Sequence, residues 1–199
     1  GFRIALVVFV CLLTALVLLW NVAVHSVQLP CSEKEKQQVE ALLANLEHGL
    51  HADIPERMQA LFPEGAAFSY ALYGLVNCNV AVWNADEERE HLLQEATWAL
   101  TQLESREVRG HFPALLPPGH GIFHAGWSAY LHGKIVQAFA KEASSSIAST
   151  DLTSRCDTIA GTFRNSFSVF PTSYNQQAWP ADASVAIAAL ALHDRILPP

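Results

Sequence analysis

Basic residues are scarce in this chain, and their scarcity removes one class of function at once. Twelve Lys and Arg stand against nineteen Asp and Glu, a formal net charge of −7. No basic stripe is present to displace counterions from phosphates, which argues against nucleic acid as a partner. Cysteine is sparse as well: Cys11, Cys31, Cys78 and Cys156 lie far apart with no CxxC spacing. Neither a zinc site nor a disulfide framework is indicated. A single Cys78–Cys156 bridge in an oxidising compartment is the alternative to two separate buried thiols. HExxH, a Gly-rich phosphate loop, a GxSxG elbow and a Cys–His pairing are all missing from the sequence. No metal and no cofactor is expected on that reading.

One long hydrophobic run is present. Ile4 to Val24 carries no charge. About 21 helical residues span ~31 Å at ~1.5 Å per residue, which matches the hydrocarbon thickness of a bilayer. Trp20 stands near one end, where an indole favours the headgroup boundary, and Arg3 flanks the other. A buried core helix is rarely apolar on every face over six turns. A cleaved signal has a shorter apolar core and a small-x-small site, for which Val24-His25-Ser26 is a poor match. The reading is a single-pass anchor over residues 1–28, with the membrane as a partner. Arg3 keeps the short end in the cytoplasm and puts the body outside it, in the periplasm of a bacterium. Gly1 in place of Met, and Pro198-Pro199 directly after a strong helical pattern, suggest a piece of a longer protein.

Residues 29–199 are long enough for one all-α domain with a core. Two helix types alternate along them. Ser32–Leu50, Asp86–Arg106 and Thr150–Phe170 are charged and amphipathic, and the first opens with a Ser32/Glu35 capping box. Ala66–Trp83, Ile122–Phe139 and Asp182–Ile196 carry almost no charge and are rich in Ala, Gly and aromatics, as enclosed helices are. The outer–inner order repeats about every 55 residues, a helical-hairpin repeat. Short connections make each pair antiparallel, so all three inner helices point one way and their N-termini gather at one end. The segments leading into them each contain a Phe-Pro step: Phe62-Pro63, Phe112-Pro113 and Phe170-Pro171. Aromatic-rich loops over a rigid scaffold, near converging helix N-termini, suit an oxygen-rich or anionic ligand.

Candidate site residues follow from that end of the body. Asp182 reads equally as the N-cap of the last helix and as a general acid or base at a cavity mouth. Glu64 holds the matching place in the first repeat, and two carboxylates on one cavity would suit acid–base work such as glycosidic hydrolysis. His120 and His124 lie four apart, but Gly119 and Gly121 disfavour a helix there and hence a shared metal. His124 is either a satisfied core histidine or an acid/base group. Tyr70, Tyr73, Trp127, Tyr174 and Trp179, with His120 and Gln177, are candidates for lining a sugar or isoprenoid, each aromatic with core packing as its alternative. Asn77 and Asn79 sit in an apolar helix, where an unpaired amide is expensive, so one should face the cavity or a water.

Alternating outer and inner helices with aromatic-rich approaches resemble the (α/α)6 toroid enzymes, of which three hairpins would form half a ring. Within that group, Tyr70-Ala71-Leu72-Tyr73-Gly74-Leu75, His124-Ala125-Gly126-Trp127-Ser128-Ala129-Tyr130, and Ala183-Ser184-Val185-Ala186 with His193-Asp194-Arg195 are similar to the linalool dehydratase/isomerase family. The resemblance covers about residues 66–196. It implies that His124 matches a family histidine that takes part in acid–base chemistry. The family's cysteines near the third inner helix have no counterpart, and Asp182 and the Tyr174 region stand there instead. The expectation is a membrane-anchored, partial α/α-toroid enzyme acting on a carbohydrate or small hydroxylated or isoprenoid substrate. The alternative is a non-catalytic helical-repeat module that binds a glycan or protein partner at the membrane.

Overall fold

The switch between charged and uncharged segments becomes a switch between exposed and enclosed helices. A computed structural model describes residues 2–25, 32–84, 86–139, 145–174 and 177–197. Its helices are α1 (Phe2–His25), α2 (Glu33–Leu50), α3 (Ile54–Leu61), α4 (Gly65–Val80), α5 (Asp86–Leu103), α6 (Arg106–Arg109), α7 (Gly121–Phe139), α8 (Ser145–Asn165) and α9 (Pro180–Ile196). A lone antiparallel bridge joins Tyr174 to Gln177. Two compact units divide the chain at Ala44/Asn45, inside α2.

In the first unit, every side chain described in α1, from Phe9 to Val22, is exposed. Thr14 turns its hydroxyl back onto the Val10 carbonyl at 2.9 Å, so that hydroxyl is satisfied within the helix. Among the described residues, no helix is long and apolar enough to cross a membrane. The anchor expected over 4–24 therefore does not stand as a finding. The capping box does form: Ser32 N–H donates to Glu35 Oε2 at 3.0 Å and Glu35 N–H to Ser32 Oγ at 3.2 Å.

In the second unit, α4, α7 and α9 form a parallel inner row. Phe68 of α4 meets Phe123 of α7 edge-on at 5.0 Å, and Gly74, further along α4, faces Leu131, further along α7. Gly126 and Gly133 of α7 lie against Ala186 and Leu192 of α9 in the same ascending order. Small residues set these approaches: a methyl added to Gly126 would reach the Ala186 backbone at 3.0 Å, and one on Gly133 would reach Leu192 at 2.9 Å. The outer helices run against this row. Leu103 of α5 accepts a bond from His124, while Arg89, nearer the start of α5, bonds Ala138 at the far end of α7. Ile122 packs with Ile159 of α8, and His132 lies near Asp151. The expected direction of the inner helices is thus met, and α5 and α8 are antiparallel to α7.

Departures from the expected elements have local causes. Pro55 at the start of α3 suits a first helical turn, whose N–H needs no partner. The third outer helix ends at Asn165 rather than near Phe170, and Phe167 beyond it is fully exposed. There Ser168 turns its hydroxyl onto the Phe170 carbonyl and the chain leaves the helix. The third inner helix is enclosed on one side only: Ala183, Ala186, Ala189 and Leu192 are buried, while Ile187 is 53% exposed. Cys78 and Cys156 are separate buried thiols. Burial pushes them up to about 12 and about 11, so both stay protonated and inert. Cys31 lies outside the described residues.

Candidate functional site

The sharp turn before α7 shapes the site. His120 (φ 69°) and Gly121 (φ 84°) both take positive φ, a conformation that a side chain resists and that recurs at functional turns. His120 Nδ1 donates to the Phe112 carbonyl at 3.0 Å. One helical turn on, His124 is 3% exposed and donates Nε2–H to the Leu103 carbonyl at 2.9 Å. Because a carbonyl only accepts, Nε2 carries the proton and Nδ1 is the ring's acceptor. The two imidazoles lie 5.8 Å apart, centre to centre. Both line a cleft of about 190 Å³ shared with Glu104, Arg109, Ser128 and Arg155.

Charge in this cleft is arranged unevenly. Arg155 bridges two carboxylates, with Nη1 2.7 Å from Glu104 and Nε 2.9 Å from Asp151. Arg109 Nε is buried and has no hydrogen-bond partner. Ser128, 1% exposed, lies beside Glu104 without a well-formed hydrogen bond. Burial alone would raise the Glu104 carboxyl, but the nearby Ser128 hydroxyl and the Arg155 guanidinium more than offset it and hold it low. Burial drives His124 down, and it does the same to His132. Both rings are therefore neutral at pH 7.

These directions give a testable pH dependence. A histidine whose folded pKa is depressed binds its proton more readily when unfolded. Its stabilising contribution is complete above the unfolded value of 6.5 and is lost as pH falls from there toward the folded value. Glu104 acts with the same sign but in a lower window, below its unfolded 4.5. Asp182, raised mainly by burial, opposes them, since its contribution is present at low pH and lost as pH rises above 3.8. Urea midpoints are expected to be level above about pH 7 and to fall steadily from 6.5 downward. Replacing both His124 and His132 by glutamine should flatten the decline between 6.5 and 5. An unaltered decline in that double variant would assign it to other groups.

The other expected site residues are dispersed. Asp182 occupies the third position of α9, behind an N-cap at Trp179, and lies near Ser173 rather than on the cleft. Glu64 is the N-cap of α4 without a side-chain capping bond, and it does not line the cleft either. The two carboxylates thus do not face His124 together. Tyr70 borders a separate cleft of about 350 Å³ with Gln59, Gln102 and His111. Tyr73 is buried and donates to Glu95 at 2.9 Å, and burial with that carboxylate raises its pKa. Trp127 packs edge-on against Phe68, and Tyr174 against Phe112 and Phe123. Gln177 and Trp179 are exposed. Asn77 is buried and donates back to the Tyr73 carbonyl at 3.0 Å, while Asn79 is exposed, so neither faces the cleft.

Of the three Phe-Pro steps, two meet through aromatic contacts. Phe62 touches Phe68, and Phe112 stacks on Phe123 at 5.4 Å. Phe170 stays on the surface while Pro171 is buried. Glu104, Arg109, Ser128 and Arg155 were not among the expected residues. Arg155 did carry a signal, since it falls among Leu152, Cys156 and Ile159 on the inward stripe of α8, where a charge demands a partner. Among the described residues, no group of three His, Cys, Asp or Glu side chains is placed to hold a metal. Compared with known proteins, the chain matches no family model, no curated protein and no solved structure, so fold and site rest on their own geometry.

Proposed function

We propose that the body is an enzyme domain in which His124 moves a proton to or from a small hydroxylated substrate held in the cleft between α5, α7 and α8. One observation carries this reading: His124 is buried and neutral on the cleft wall, its tautomer fixed by the Leu103 carbonyl so that Nδ1 is left as a base. A neutral imidazole fixed in orientation is suited to general acid–base work at neutral pH. The lining of hydroxyl and ionic groups favours a carbohydrate or other hydroxylated compound over an isoprenoid. The parallel inner row with antiparallel outer helices is the unit that an α/α toroid repeats, and we take the body as such a partial toroid. We also take α1 as its attachment to a membrane, with the body outside the cytoplasm. Its exposed apolar side chains and internally bonded Thr14 hydroxyl support that.

Proton transfer can be tested before the reaction is known. The full chain is incubated in D₂O with a panel of sugars, hydroxy acids and their phosphate esters, and solvent deuterium entering carbon positions is followed by proton NMR. New reducing ends are assayed in parallel on glycans. His124→Gln keeps a donor for the Leu103 carbonyl but removes the base. It should lower turnover at least ~100-fold, the usual weight of a general acid–base group. Turnover that survives in the folded variant would end the assignment.

A second reading rests on a different observation. Phe167 and Val169 are exposed, and Phe170 is 37% exposed, on one loop before Pro171. Large apolar side chains gathered in water mark binding surfaces. On that reading the body is a non-catalytic module for a glycan or protein partner. Binding of a glycan without turnover, weakened by Phe167→Ala and untouched by His124→Gln, would favour it.

A further inference from the structure

We infer that the His124 cleft holds an anionic group of its ligand, a carboxylate or a phosphate ester, on Arg109. This deepens the reading above and rests on the same cleft receiving the substrate.

The charges in the cleft decide its preference. Glu104 lines the cleft, but it is bound to Arg155, whose remaining bond goes to Asp151. Arg109 has no such partner: among the described residues no carboxylate forms an ion pair with it, and its Nε–H is buried with nothing to accept it. A buried donor left unpaired costs about 1–3 kcal/mol, and more when it is charged. An incoming anion supplies the missing acceptor. A second donor lies on the same wall, the hydroxyl of Ser128, 1% exposed and beside the Glu104 carboxylate without a well-formed bond to it.

The turn into α7 adds to this. Pro118, Gly119 and His120 form one edge of the cleft, immediately before the N-terminus of a 19-residue helix. Its first amides are already engaged, Gly121 N–H with the Pro118 carbonyl at 2.7 Å and Ile122 N–H with the Thr172 carbonyl at 2.9 Å. The helix therefore contributes the positive field of its N-terminal end, and the direct donors are side chains. A cation is disfavoured by the same arrangement. Both imidazoles already use one nitrogen as a donor, and two guanidinium groups stand beside them.

The test is a titration of the full chain at low ionic strength with two probes, inorganic phosphate and acetate. Binding is measured by calorimetry and by the ring resonances of His120 and His124. At least one probe should bind saturably and shift those resonances. Phosphate alone points to a phosphate ester, and acetate alone to a carboxylic acid. Arg109→Gln should weaken binding about 10-fold or more, the loss expected for a charge-assisted hydrogen bond. Arg109→Lys should fall between, because an ammonium keeps the charge without the planar fork. Ser128→Ala removes only a hydroxyl and should weaken binding about threefold or more; it carries the test if the Arg109 variants do not fold. Failure of both probes to bind, or unchanged affinity in folded Arg109→Gln or in Ser128→Ala, would overturn the proposal. His124→Gln separates the two readings. Retained probe binding in that variant supports the anion subsite whether or not deuterium exchange is seen, and exchange that persists there removes only the proton-transfer role.

Discussion

Glu104→Ala is expected to destabilise the helical body by about 3 kcal/mol, a large share of what a domain of this size possesses. The reason is what remains afterwards. Arg155 is 29% exposed and Glu104 22%, so both charges have left much of their water. Removing one partner of such a pair strands the other. Asp151 still contacts Arg155 at 2.9 Å, but it is 55% exposed and compensates only in part, which puts the expectation at the lower end of the usual range. Glu104→Ala combined with Arg155→Met should recover most of the loss, since the stranded charge goes with it. Urea unfolding of the single and double variants measures this. A loss under 1 kcal/mol for Glu104→Ala would mean that water reaches the guanidinium freely.

Gly121→Ala is expected to cost about as much, for a steric rather than an electrostatic reason. A φ of 84° alone penalises an L residue by roughly 1–2 kcal/mol. The added methyl would also collide with the Ser173 carbonyl, which is backbone and cannot swing aside. The same contact surface carries the Ile122–Thr172 bond that ties the loop before α9 to the start of α7. A total of about 3 kcal/mol or more is expected. Gly119→Ala is the control: its methyl would meet only the Ala114 carbonyl at 3.7 Å, an ordinary contact. It should change stability by no more than about 0.5 kcal/mol. Equal losses in the two variants would show that the turn is sensitive to any side chain and that the Ser173 contact is not the cause.

Helix type was readable in the chain because burial leaves a compositional trace. Uncharged α4, and α7, which carries Lys134 alone, are enclosed, and charged α5 and α8 cover them. The direction of the inner row was readable too, because each outer helix carries the chain back to the end from which the next inner helix starts. The short helices α3 and α6 were not, since four to eight residues carry too few apolar positions to show a period. At the site, His120 and His124 could be found from one local segment. Glu104 and Arg155 could not be paired, because they sit 51 residues apart, one just past the end of α5 and the other on α8, and meet only through the register of each with α7. Asp182 and Glu64 looked alike in sequence because both begin inner helices. Position in the first turn fixes a residue along its helix but not the direction in which its side chain points.

The glycine contacts along α7 have a consequence for the shape of the repeat. Gly126 and Gly133 let α9 come in until backbone meets side chain, and Gly74 does the same for α4. A methyl at any of the three would meet a neighbouring inner helix at about 3 Å, so that the row could keep its present spacing only if that neighbour gave way. How closely the inner helices stand is therefore set less by their large side chains than by the places where side chains are missing.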